Sequence, residues 1–254
     1  MQEIKLNKIS TKADNDLDKK KTKEKTADIL VKLDDLQNLL YAEHKHSLLI
    51  VIQGMDASGK DGVIRNVFGH LNPQGVTVKS YKAPTPEELS HDFLWRIHPH
   101  APPKGMIQLF NRSHYEDIVI TRVHKWCDDE TAKKRMKAIN DWEDLITEHN
   151  HTHVLKFYLH VSAEEQQARL EERLKDETKM WKYNENDQAE AKLWDLYMAM
   201  YEDAFTNCNN PAWNIIPSDQ NWYKEYLIAN KVYDTLKSLD MQFPGLKQIG
   251  RAHV

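Results

Sequence analysis

A chain of 254 residues with 40% hydrophobic content can bury a full core, and its length suits one α/β domain with insertions better than two domains. The formal net charge of -4 excludes a generally basic protein that coats nucleic acid or acidic membranes, so any polyanion must meet a local basic patch. No apolar run approaches the roughly 20 residues that cross a bilayer, residues 1–5 lack a signal-peptide pattern, and Cys127 and Cys208 have neither disulfide-framework nor zinc spacing. A soluble protein of the reducing cytoplasm is the expectation, with no nucleic-acid or membrane partner.

Residues 1–26 read as a charged arm. Its run Lys19, Lys20, Lys21 and Lys23 is interleaved with Asp14, Asp16, Asp18 and Glu24, a pattern of solvated, mobile or helical segments. Apolar residues at helical spacing (Ile29, Leu30, Leu33, Leu36, Leu39, Leu40) predict a helix over 27–41. Strands are predicted over 47–52, 76–81, 106–110, 154–161 and 213–216. Between them lie a helix-like pattern (Val63, Ile64, Val67, Phe68, Leu71), a helix over 86–96 with Thr85 as N-cap and Pro86 in the first position, and a helix over 163–175. The polar stretch 176–183 reads as a mobile lid, and 246–254 as a frayed tail. The alternation predicts an α/β protein, a parallel five-stranded sheet in a three-layer fold with a helical lid, its ligands beyond the carboxyl ends of the strands. The expected domain spans 27–245, with the lid near 170–190.

Residues 54–62 follow the first strand directly and fit Gly-x-x-x-x-Gly-Lys through Gly54, Gly59 and Lys60. Such a loop curls its N–H groups around phosphates, here from Gly54, Ala57, Ser58, Gly59 and Gly62, while the lysine neutralises the terminal groups. The usual following Ser or Thr is Asp61, which can bind magnesium directly or through water. Asp56 would repel an anion held by the loop alone, so its presence implies a metal ion or an arginine close by.

Taken with Asn72-Pro73-Gln74-Gly75, Lys82-Ala83-Pro84, His91-Asp92-Phe93-Leu94-Trp95-Arg96, Phe110-Asn111-Arg112-Ser113-His114-Tyr115-Glu116, Trp181-Lys182-Tyr183 and Trp213-Asn214-Ile215-Ile216-Pro217, this loop resembles the polyphosphate kinase 2 family over residues 48–239. The resemblance implies a P-loop kinase-like fold and phosphoryl transfer between inorganic polyphosphate and AMP, ADP or ATP. It also implies a requirement for Mg2+, with Mn2+ able to substitute, and a homo-oligomer, dimer or tetramer. Tyr115-Glu116-Asp117 stands where one subgroup has Tyr-Asn-Arg, and the chain is more similar to the group using both AMP and ADP. The resemblance further places Asp56 beside the acceptor phosphate. P-loop proteins usually carry an acid at the end of the third strand, but this chain has Asn111, so the metal falls to Asp56, Asp61 and Asp117, with Glu116 the rival of Asp117.

An acceptor phosphate with a second pKa near ~6 is already ionised and needs little base catalysis, so charge neutralisation is the harder task. Lys60 is assigned to the transferred group, and Arg112, directly after the third strand, to a phosphate clamp. Lys82 is the candidate for the acceptor phosphate. Arg122 is a further candidate on the next helix. Arg169 and Arg173 share a helix face and can close over the transferring phosphate, although Glu165 also gives Arg169 an ordinary helical ion pair. Lys179 and Lys182 line a chain entry, and Trp181 can stack on a base or pack in the lid. His149, His151 and His153 lack a metal-site pattern. Two other readings share these features: an ATP-dependent nucleoside monophosphate kinase and a non-catalytic polyphosphate or nucleotide sensor. Tyr233 in Asn230-Lys231-Val232-Tyr233 excludes a guanine-specific GTPase motif.

Overall fold

Five apolar runs pair into one parallel sheet: β1 (Ser47–Gln53), β2 (Val76–Ser80), β3 (Ile107–Asn111), β4 (Thr152–His160) and β5 (Trp213–Pro217) stand in the order β2-β3-β1-β4-β5. The computed structural model describes residues 4–246, so the expected tail lies outside the described residues from 247 onward. The helices are α1 (Lys19–Glu43), α2 (Lys60–Val63), α3 (Pro86–Leu89), α4 (Glu116–Val123), α5 (Asp129–Asn150), α6 (Ala163–Lys175), α7 (Glu177–Met180), α8 (Asn186–Ala191), α9 (Trp194–Asn207) and α10 (Asn221–Lys237). Among the described residues, no helix is long and apolar enough to cross a membrane.

Every residue of the central strand β1 is buried, and the two-residue period of a strand sends alternate side chains to opposite faces. Leu48, Ile50 and Ile52 pack with Leu33 and Leu40 of α1 and with Ile228, Val232 and Leu236 of α10. Leu49 and Val51 join Ile118 of α4, Ile139 and Trp142 of α5, and Tyr201 and Phe205 of α9. Helices therefore cover both faces, and each fully buried aliphatic or aromatic side chain contributes about 1.5–3 kcal/mol.

The five strands stand where the sequence predicts them, within two residues at each end. Helix α1 begins earlier than the apolar pattern, because the Asp18 side chain accepts hydrogen bonds from the Lys20 and Lys21 N–H groups; the lysine run thus occupies the first turns of α1. The helix predicted over 86–96 stops at Leu89. Thr85 and Glu88 form the expected capping box, but Ser90 Oγ donates back to the Glu87 carbonyl at 2.7 Å and Asp92 Oδ1 accepts from Leu94 N at 3.0 Å, diverting the chain into turns. The helix after the glycine loop is one short turn, continued by a π-helical turn over Ile64–Phe68.

One buried polar network supports the end of β3. Lys156 Nζ donates to Glu143 Oε2 at 2.7 Å, to Tyr115 Oη at 3.0 Å and to the Cys208 carbonyl at 2.9 Å. Tyr115 Oη donates to Glu143 Oε1 at 2.9 Å, and His114 Nε2 lies 3.3 Å from the same oxygen. Burial opposes charge on Glu143, but the Lys156 ammonium and the His114 contact outweigh it and hold the carboxyl below its ordinary range.

Candidate active site

The loop between β1 and α2 keeps its shape through two glycines in backbone conformations that residues with side chains rarely adopt. Gly54 has φ +151° and an added Cβ would lie 2.8 Å from Ser58 Oγ; Gly59 has φ +97° and an added Cβ would lie 2.2 Å from Lys224 Nζ. The first N–H groups of α2 have no intrahelical acceptor, which suits them to an anion. Lys60 Nζ donates to the Gly54 and Met55 carbonyls at 2.8 and 3.0 Å, which draws it across the loop. Burial and then the Arg112 charge push its pKa down to about 8, against the pull of Asp56, Glu116 and Asp61.

Beyond the carboxyl ends of the strands lies a cavity of about 700 Å³, walled by seven basic side chains and four acidic ones. Lys60 sits on its floor, Lys82 follows β2, and Arg112 follows β3. Arg169 and Arg173 come from α6, Lys179 from α7, and Lys182 from the segment after it. The structure brings these predicted residues together with Asp56, Ala57, Gly59, Asp61 and Gly62.

Arg112 organises the acids. It adopts φ +61°, uncommon for a residue with a side chain, and its guanidinium pairs with Asp56 through Nη2 and with Glu116 through Nη1 at 3.4 Å. Glu116 and then Asp56 hold Arg112 firmly charged against the effect of burial. Asp61 accepts from Asn111 Nδ2 at 2.9 Å and from Lys182 Nζ at 2.8 Å. Burial opposes its charge, but these two contacts prevail and lower its pKa. Among the described residues, no group of three or more His, Cys, Asp or Glu side chains is arranged to hold a metal ion. Asp56 and Asp61 nevertheless suit Mg2+, which is commonly held by one or two carboxylates together with substrate phosphates rather than by a protein cage.

Three predicted roles need revision. Asp117 does not line the cavity: its carboxylate faces Arg96 Nη2 at 3.4 Å, and its carbonyl accepts from Arg135 Nη1 at 2.7 Å. Arg96 in turn donates to the Lys82 carbonyl at 2.9 Å, so Asp117 is linked to the Lys82 loop through Arg96. Arg122 is also outside the cavity wall, paired with Asp203 at 2.7 Å and donating from Nε to the Ile118 carbonyl. Arg169 lines the cavity but commits its donors to the Ala57, Ser58, Ser218 and Asp219 carbonyls and to Glu165, which makes it a brace of the loop. Ser58 is fully buried; its N–H donates to the Met55 carbonyl at 3.1 Å and its carbonyl accepts from Arg169 and Lys224, so it shapes the loop from within. Glu116 reaches Arg112 from beside the main cavity, in a small inner pocket shared with Glu190 and Tyr201.

Three further contributors are absent from the sequence reading. Asp187 in α8 pairs with Arg173 at 2.6 Å and ties the lid to α6. Lys224 in α10 donates to the Ser58 carbonyl at 3.1 Å. Gln166 Nε2 donates to the Asp56 carbonyl at 3.0 Å; its position three residues before Arg169, on one helix face, is a signal that could have revealed it.

A phosphate loop at the carboxyl edge of a parallel sheet, opposed by cations from five further segments, defines a P-loop kinase-like phosphotransferase. The comparisons carry this to a family. The family described as Polyphosphate kinase 2 (PPK2) matches residues 16–244. An AMP/ADP-polyphosphate phosphotransferase of Meiothermus ruber is 44% identical over 215 residues, covering 84% of this chain and 80% of that one. An ADP-polyphosphate phosphotransferase of Rhodopseudomonas palustris is 38% identical over 227 residues, covering 84% and 78%. The crystal structure of Polyphosphate Kinase 2 from Arthrobacter aurescens TC1 superposes with a TM-score of 0.93 at 37% identity, covering 98% of this chain and 92% of that one. The chain belongs to the polyphosphate kinase 2 family and is a phosphotransferase.

Proposed function

We propose that the protein transfers the terminal phosphoryl group of inorganic polyphosphate to ADP and to AMP, forming ATP and ADP, and that the reaction runs in both directions. A terminal phosphate oxygen of the nucleotide attacks the end phosphorus of the polymer; the bridging P–O bond breaks, and the shortened chain leaves carrying the electron pair. The observation that carries this reading is the cavity wall, whose basic side chains exceed its acidic ones and come from both the phosphate loop and the lid. Two polyanions must meet there, and their repulsion reaches several kcal/mol at an effective dielectric of about 20. Lys60 serves the transferred group, Arg112 clamps phosphate while orienting Asp56, and Arg173 closes from α6. Lys82 contacts the acceptor phosphate, and Lys179 and Lys182 lead the polymer in.

Asp56 and Asp61 would hold Mg2+, or Mn2+ in its place, and the ion would supply further charge neutralisation. A dimer or tetramer in a cytoplasmic setting completes the proposal; Cys127 and Cys208 are free thiols, in keeping with a reducing compartment. The test is product analysis with AMP, with ADP, with and without polymer, and with ATP plus a nucleoside monophosphate. Polymer-dependent ADP and ATP from AMP support the reading. Phosphoryl transfer from ATP to a nucleoside monophosphate, with the polymer inert, replaces it with an ATP-dependent nucleoside monophosphate kinase, and binding without turnover replaces it with a sensor.

A further inference from the structure

Lys224 is 1% exposed, and no carboxylate pairs with it among the described residues. Its Nζ donates to the Ser58 carbonyl at 3.1 Å and to Asn221 Oδ1 at 2.9 Å. The Ser58 carbonyl also accepts from Arg169 Nη1 at 3.1 Å. Two cations, one from α10 and one from α6, therefore grip one peptide of the phosphate loop from behind. The fit is close, since a Cβ on Gly59 would lie 2.2 Å from Lys224 Nζ. An ammonium removed from water needs an opposite charge, and carbonyl dipoles offset the loss only in part. Of the charged groups around it, Arg169 of α6 and, more weakly, Lys60 of α2 repel it, while Glu225 of α10 and Glu165 of α6 attract it without pairing with it.

We propose that Lys224 is a positioning residue for the phosphate loop: it holds the Ser58–Gly59 turn from behind, and the phosphate chain bound in front supplies its counter-charge. The proposal rests on the polyphosphate reading above. Linkage then works in both directions, because a protonated Lys224 strengthens polymer binding and bound polymer strengthens the hold on the proton. Burial, and then the Arg169 charge, bring the ammonium down to about 7. Below that pH the free enzyme already carries the proton. Above it, binding must take one up from solvent, so the apparent affinity for polymer falls by up to about tenfold per pH unit until the pKa of the bound form is reached.

The experiment measures KM for long-chain polyphosphate and for ADP across this pH range with the full-length wild type, Lys224→Arg and Lys224→Met, each first checked by thermal unfolding. In the wild type, KM for polymer should rise as pH passes about 7. Lys224→Arg, always charged, should keep KM for polymer low and flatten the rise across this range. Lys224→Met should show a raised KM for polymer already at the acid end. KM for ADP should move less in both variants. A wild-type pH profile in Lys224→Arg overturns the proposal, and so does a Lys224→Met protein that loses kcat while its KM profile is unchanged. If Lys224→Met does not fold, the Lys224→Arg profile decides alone. A wild type that turns over no polymer removes the functional reading itself, a result separable from a failure at Lys224.

Discussion

Arg112 is where geometry and charge meet, turning back over the loop with a positive φ and holding Asp56 and Glu116 on separate nitrogens. A lysine keeps the charge but cannot bridge two acids in this way. Arg112→Lys should therefore lower kcat by about 10²- to 10³-fold, the range for removing one preorganised donor from a reacting oxygen; an unchanged kcat in steady-state assays would remove Arg112 from the chemistry. The carboxylates make a second test. Asp61→Asn should raise the Mg2+ concentration needed for half-maximal rate, whereas Asp117→Asn should leave that requirement unaltered and reduce stability by about 1–3 kcal/mol by removing one of the two carboxylates, Asp117 and Glu88, that pair with Arg96. A shifted Mg2+ requirement in Asp117→Asn would restore its metal role. The sequence makes Glu116 and Asp117 look equivalent, but successive helix residues point about 100° apart, so one meets Arg112 and the other Arg96. Lys224 and Asp187 were illegible for a different reason: their partners lie 166 and 14 residues away in the chain, and nothing local marks them.

At the scale of elements, the pairing of α5 with β4 depends on Glu143 and Lys156, both fully buried. Glu143→Gln should cost about 3–5 kcal/mol in denaturant unfolding, because it leaves the Lys156 charge uncompensated. The depressed Glu143 pKa adds stability that is present above the unfolded value, near 4.5, and is lost as pH falls through the lower folded value. The wild type should accordingly lose part of its advantage over the variant as pH drops below that window, and a constant difference would contradict the assignment. Elements written in local pattern were legible: the apolar runs gave all five strands, and the helix predicted over 163–175 coincides with α6. The short α3 was not, since Ser90 and Asp92 end it with side-chain hydrogen bonds that periodicity does not register.

The whole molecule carries a net charge of -4 yet gathers seven basic side chains around one cavity. A polymer held there displaces many counterions, so its KM should climb steeply with salt while that of AMP climbs less; equal slopes would argue against a polymer channel. The fold class followed from strand–helix alternation, whereas the convergence of α6 and α10 on one loop depends on strand order, which a single sequence does not state. The most direct measurement of the central claim is the balance of phosphoryl groups, counting those lost by polyphosphate against those gained by AMP in the presence of Mg2+, for wild type and Asp56→Asn. One phosphoryl group should be gained for each one lost in the wild type, with little transfer in the variant. Polymer loss as free phosphate without nucleotide gain, or full transfer by Asp56→Asn, would contradict it.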